Sequence, residues 1–407
     1  MKITLSVLNR NYFLLALLAL TITSCLDMRM LEDANVNAQL GRIVKGLVFI
    51  VWLAAALKLS LSGYHLYKPA WPIVLYAAFL FWSIFPTMMA AQSGLLFNIL
   101  FLATPLVVLL STYNTMRNFG AHKWYVWAFC IMAVLLVYQY TKVFSFMNIF
   151  GDDSHLISSY YILYMLPLVL LVKQKKWKIV AILIAMVVIL SSLKRSGVVA
   201  LVMGVMAYVV IDMYLSKKLT PKVIIGGLIV LALFTAIFIY YGSMGEQSLF
   251  DRFENIGNDN GSGRTLVWDV TSKMISKLDM GSLLVGNGYN TVVVNSPINL
   301  SAHNDFLEVT FDYGIIGLVF YVCALFCTIY YAIKMISGKS PYAPSMCMLI
   351  VIFLIQSLIS HIVINYWVNI FMMSFAYMIG NFEREASMIG NNDKDASTFG
   401  NIERDAT

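Results

Sequence analysis

Charge is what this sequence has least of. Asp, Glu, Lys and Arg make up 12% of its 407 residues, about half the roughly 25% usual in a soluble domain. Hydrophobic residues reach 60% and mean hydropathy is +0.78. So few charges cannot hydrate the surface of a globule this large, so a soluble protein is excluded. Cysteine is sparse too. Cys25, Cys130, Cys323, Cys327 and Cys347 lie in or beside apolar runs without metal-ligand spacing, although Cys323 and Cys327 share a helix face, and they read as packing residues.

What is present is a succession of apolar runs of membrane-spanning length. In hydrocarbon such a run satisfies its backbone as a helix, so the predicted fold class is all-α, a polytopic membrane protein of about twelve transmembrane helices. Spans are expected at 11–26, 43–61, 70–91, 93–112, 124–147, 156–172, 177–193, 197–215, 222–241, 313–336, 346–362 and 364–380. The expected organisation is helices one to nine within 1–241, one large loop over 242–312, helices ten to twelve within 313–380, and a disordered tail over 381–407.

Most Lys and Arg residues fall on one side when alternate connections are counted, among them Lys2, Arg117, Lys123, Lys173, Lys175, Lys176, Lys178, Lys217 and Lys339. The positive-inside rule makes that side cytoplasmic, puts both termini there, and turns the 242–312 loop outward. The net charge of +7 reflects this bias, not a nucleic-acid surface.

Two local patterns compete with the plain reading. Ile22-Thr23-Ser24-Cys25 resembles a lipoprotein cleavage box, but a polytopic chain needs no lipid anchor and a first span ending in Cys explains it. The tail repeats every ten residues from Gly380-Asn381, Gly390-Asn391 and Gly400-Asn401. That repeat accounts for Asp393-Lys394-Asp395, which otherwise imitates an acidic metal-binding pair.

Chemistry is sought where membrane rules are broken. Lys194 and Arg195, followed by Ser196-Gly197, fall at the outer interface between spans seven and eight, where cations are disfavoured unless an anion meets them. Snorkelling to headgroups is the structural alternative; binding of a phosphorylated lipid, helped by the N-terminus of the next helix, is the functional one. In the long loop, Arg264 opens an amphipathic helix with Leu266, Val270, Met274 and Leu278 at helical spacing. Gly286-Asn287-Gly288 is a turn before the β-branched run Thr291 to Val294, and it lacks the context of a dinucleotide fingerprint. Ser301 is expected to cap a helix whose first turn contains His303, keeping that imidazole neutral and able to accept a proton. Asn304, Asp305 and Glu308 lie beside it, whereas His65, His122, His155 and His361 read as structural.

His303-Asn304 followed by Gly314-Ile315-Ile316-Gly317, with Arg264, Trp268 and Gly286-Asn287-Gly288 upstream, resembles the signature of the bacterial O-antigen ligase and polymerase family. The resemblance covers about Ser191 to Phe320 by motif and the remainder by topology. It implies a metal-independent, inverting glycosyltransferase of the bacterial inner membrane, without cofactor, that takes a glycan from undecaprenyl diphosphate on the periplasmic face. It implies His303 as the catalytic histidine and Arg195 and Arg264 as diphosphate contacts. Lys194 departs from the family's usual small or polar residue and leaves open which cation matters more. Asp305 or Glu308 could orient the imidazole or serve as the base instead.

The stretch from Ser301 to Leu318 resembles capsule and O-antigen polymerases, and that resemblance implies a polymerase, which extends lipid-linked repeat units of a surface polysaccharide, ahead of a ligase, which transfers the glycan to lipid A-core. Expected partners are the undecaprenyl-diphosphate-linked oligosaccharide, the bilayer, and a chain-length regulator and flippase of the same pathway. A transporter or flippase is the alternative from another class, since about twelve helices is also transporter size. Its two similar halves and midplane charges are not evident, and the conspicuous polar residues gather in one outer segment.

Overall fold

The computed structural model describes residues 5–32, 38–61, 68–90, 94–149, 157–192, 194–217 and 264–404. The expected ninth span at 222–241 and the loop up to residue 263 lie outside the described residues. Everything regular within them is helical. Helices α1 (Leu5–Glu32), α2 (Ala38–Leu61), α3 (Trp71–Met89), α4 (Leu95–Phe119) and α5 (Lys123–Ile149) come first. A single 3-10 turn (Ile157–Ser159) leads into α6 (Tyr160–Val169), followed by α7 (Lys175–Ser191) and α8 (Arg195–Leu215). After the undescribed segment come α9 (Arg264–Ser276) and two short helices, α10 (Met280–Val285) and α11 (Thr291–Asn295). The chain closes with α12 (Asp305–Ser337), α13 (Ala343–Ile359) and α14 (Val368–Arg404).

Among the described residues, five stretches are long and apolar enough to cross a membrane by length and composition: Trp71–Met89, Leu95–Phe119, Lys123–Phe144, Arg195–Leu215 and Asp305–Ser337. Shorter apolar helices cover Tyr12–Met28, Lys45–Leu57, Ile157–Val169 and Ala343–Ile359. The protein is thus an all-α polytopic membrane protein. α1 passes through Cys25 without a break, so the sequence resembling a lipoprotein box lies inside a helix, with Ser24 fully buried.

Lipid is as apolar as the helices it surrounds, so association depends on close packing and buried hydrogen bonds. The largest helix contacts are α4 with α14, α8 with α13, and α3 with α12. Where α8 meets α13, a Cβ on Gly204 would sit 2.9 Å from Ile352 Cγ1. Aromatic rings fill the centre: Tyr76 stacks on Phe375 at 5.5 Å, and Phe353 stands edge-on to Phe371 at 5.0 Å. Hydroxyls inside the helices return to their own backbone, as Ser83 and Thr87 do to Phe79 and Ser83 carbonyls at 2.8 Å.

Two expectations change. The segment from Asp305 and the expected tenth span form one helix, α12, bent at Gly314, so the span expected from 313 starts inside a helix that begins at Asp305. The tail expected to be disordered from 381 instead continues α14, with Asn381 and Phe382 buried. Its first turn has a structural task. Tyr331 Oη donates to Glu383 Oε1 at 2.9 Å, and Arg384 Nη1 donates to the carbonyls of Arg117 and Asn118. Those carbonyls belong to the last turn of α4, which has no intrahelical donors left for them.

Candidate active site at one end of the bundle

The site is built on the first two turns of α12. Asn304 caps that helix, its side-chain oxygen accepting from Phe306 N at 3.0 Å and Leu307 N at 3.2 Å, while its amide donates to Leu358 O at the end of α13. The cap is therefore Asn304 and not Ser301. His303 consequently stands outside the helix, at φ +50°, a left-handed conformation that non-glycine residues seldom adopt and that tends to mark functional positions. Ser301 Oγ pairs instead with His361 Nδ1 at 3.1 Å.

Asp305, Glu308 and Asp312 share one face of α12 by their spacing, and all three are fully buried. Each holds a different segment of chain. Asp305 Oδ1 accepts from Ile362 N at 2.8 Å and Val363 N at 3.3 Å, and its Oδ2 accepts from Tyr321 Oη at 3.1 Å. Glu308 Oε2 accepts from Ala302 N at 2.8 Å. Asp312 accepts from Asn290 N at 2.8 Å, Thr291 Oγ1 at 2.7 Å and Val292 N at 3.0 Å. These bonds go to backbone and hydroxyl donors, none of them to an imidazole. The pair read from sequence as possible orienting groups or bases thus bonds to the 302 and 362–363 backbone and to Tyr321, in company with Asp312, while Glu308 Oε1 is buried without a bond.

The glycines interlock. Gly314 bends α12 at φ +70°, and a Cβ there would lie 2.2 Å from Leu284 O. Gly286, at φ +94°, approaches Asp312 O just as closely, at 2.4 Å for its own Cβ. Carbonyls of the turn before the bend take outside partners: Phe311 O from Asn287 N at 3.2 Å and Asn287 Nδ2 at 2.9 Å, Asp312 O from Gly288 N at 2.8 Å, and Tyr313 O from Trp82 Nε1 at 2.9 Å. A bend at membrane depth is tolerable only when such groups are satisfied again. The two glycine motifs are thus halves of one joint, and the β-branched run after it forms the short helix α11, held by Asp312.

Above this scaffold the imidazoles of His303 and His361 stack with centroids 4.8 Å apart, and His361 lies parallel to Trp367 at 6.4 Å. Burial is the main cause that lowers the pKa of His303 from 6.5 to about 4, with the charges of Arg264 and Lys194 adding to it. The same causes, together with His303 itself, lower His361 to about 3. His303 is therefore neutral as the sequence led one to expect, but burial and two cations achieve this rather than a helix terminus. Lys194 immediately precedes α8, and Arg195 opens it half-buried beside Lys194. Ser196 Oγ meets Tyr160 Oη at 2.5 Å, and Ser196 O accepts from Gln356 Nε2 at 3.1 Å.

The structure thus brings Lys194, Arg264 and His303 into one electrostatic neighbourhood, as the motifs suggested, and adds His361. A second polar group reaches the same 360–367 connection from α1 and α2. Asp27 is ion-paired with Lys45 and accepts from Tyr161 Oη at 2.5 Å, Lys45 lies 4.8 Å over the Tyr366 ring, and Tyr366 Oη donates to Thr23 Oγ1 at 3.0 Å. Tyr289 Oη adds a bond to Ile364 O at 2.9 Å. Among the described residues, no three His, Cys, Asp or Glu side chains converge as a metal-binding set.

Residues 179–322 match the family model described as O-antigen ligase. This segment, similar to that family, runs from within α7 to the middle of α12. No curated protein matches the chain.

Proposed function

We propose that the protein is a membrane glycosyltransferase that polymerises undecaprenyl-diphosphate-linked oligosaccharide repeat units of a surface polysaccharide, on the periplasmic face of a bacterial inner membrane. The observation that carries this reading is the neutral, stacked His303 lying within the fields of Arg264 and Lys194. The site chemistry then has two parts. Neutral His303 removes the proton of an acceptor sugar hydroxyl as its oxygen bonds to the anomeric carbon, a contribution typically of about 10²–10⁴ in rate. The bond from that carbon to the diphosphate breaks with its electron pair going to the leaving group. Arg264 and Lys194, with Arg195 at the start of α8, meet the negative charge, Arg by bidentate hydrogen bonds. A single displacement inverts the anomeric centre. Nothing in these steps calls on a metal.

Asn304, Asp305 and Glu308 serve this chemistry indirectly by fixing the chain around His303. Transfer to lipid A-core is the second reading, favoured by the ligase description of the matched family. Reconstitution with the lipid-linked repeat unit alone separates the two: a polymerase yields a product ladder, whereas a ligase yields product only once lipid A-core is added. Flipping of the precursor without any transfer would sink both and return the transporter reading.

A further inference from the structure

A cavity of about 1110 Å³ opens between α5, α6, α7 and α14, and none of the site residues above lines it. One end is polar, formed by His122, Lys123, Lys173, Gln174, Arg384 and Glu385. From there apolar walls run inward along Val126, Cys130, Val134 and Val137 of α5 and Val180 and Ile184 of α7. Between Lys123 and Val137 the helix rises about 21 Å at 1.5 Å per residue. That exceeds one leaflet of a hydrocarbon core about 30 Å thick.

The polar end also carries the marks of a membrane interface. Trp127 and Trp177 line the cavity with 52% and 49% of their surface exposed. Lys123 Nζ lies 5.6 Å over Trp124, and Lys176 Nζ lies 5.7 Å over Trp177. Aromatic rings with lysines are typical of headgroup level, and the basic residues here assign this end to the cytoplasmic leaflet. Lys123, Lys173 and Arg384 outweigh Glu385, so the rim is positive beside a leaflet whose lipids are partly anionic. Arg384 is already held by the carbonyls of Arg117 and Asn118, which leaves Lys123 and Lys173 as the adaptable cations.

The geometry points to a binding groove for one anionic phospholipid of the cytoplasmic leaflet, its phosphate between Lys123 and Lys173 and an acyl chain along α5 and α7. The full chain, purified in mild detergent, is offered equal amounts of phosphatidylglycerol and phosphatidylcholine with identical acyl chains, and retained lipid is read by native mass spectrometry. Phosphatidylglycerol should be retained roughly tenfold over phosphatidylcholine. The Lys123→Ala, Lys173→Ala double variant should bring that ratio close to one, and Val134→Trp, which fills the apolar wall, should reduce both lipids. Equal retention of the two lipids by the wild-type protein overturns the proposal whether or not the variants fold. So does an unchanged ratio in a folded double variant, or displacement of phosphatidylglycerol by equimolar undecaprenyl phosphate.

Discussion

Replacing Asp305 with Asn separates a scaffold carboxylate from a catalytic one. In the structure Asp305 Oδ1 accepts from Ile362 N and Val363 N, and Oδ2 accepts from Tyr321 Oη, which also contacts Ser357 Oγ at 2.8 Å. Asn keeps the oxygen that serves the two backbone donors, and its amide can donate to Tyr321 Oη while that hydroxyl turns to Ser357. What is lost is the charge. Hydrogen bonds to a charged group contribute about 1.5–3 kcal/mol against about 0.5–1.5 for neutral pairs, so three weakened bonds cost about 3–4.5 kcal/mol. Asp305→Ala removes the acceptor altogether and leaves two buried N–H groups unpaired, at about 1–3 kcal/mol each. Thermal unfolding in detergent should rank wild type above Asn above Ala. Glycan transfer in liposomes should fall by less than about tenfold for Asp305→Asn, well short of the 10²–10⁴ that loss of a general base costs. A folded Asp305→Asn of undiminished stability whose transfer has dropped by about 10²-fold or more would refute the scaffold assignment and make this carboxylate part of the chemistry.

Four further outcomes follow from the same geometry. His303 has its pKa lowered to about 4, so it keeps its basic form well below the ordinary value of about 6.5, and the acid limb of kcat/KM should fall near pH 4. The same shift makes the unfolded chain bind a proton first, so this histidine contributes stability that declines as pH drops from about 6.5 toward 4. Arg264→Ala should raise KM for the diphosphate donor and move that acid limb upward, because a positive neighbour of the imidazole is gone; an unmoved limb in a folded variant would remove Arg264 from the site. Gly314→Ala should destabilise the protein by more than about 2 kcal/mol, combining the left-handed backbone penalty with a collision against Leu284 O, and wild-type unfolding would disprove the joint.

Hydropathy made the helical class legible because a membrane span declares itself by length and composition. The cations and His303 could be read because charge and imidazole stand out at an apolar interface. Other features depended on partners far along the chain. Asp305 reads as a candidate base, and nothing in the sequence shows that the backbone of Ile362 and Val363 lies against it. His361 was passed over because it sits in a nearly continuous apolar run, and only folding brings it onto His303 and Trp367. Ser301 and Asn304 are both good caps, and sequence gave no reason to prefer the one whose side chain reaches Phe306 N. The tail read as disordered because its polarity is evident and the orphan carbonyls of α4 that Arg384 meets are not. Asp27 was missed for a similar reason, since Lys45 and Tyr161 lie on other helices.

The most direct test of the central claim is glycan transfer by His303→Ala in liposomes supplied with the lipid-linked repeat unit, beside wild-type protein of matched insertion and thermal stability. The account predicts no product ladder from the variant while the wild type makes one. A ladder of wild-type length and rate from a folded His303→Ala protein would contradict it.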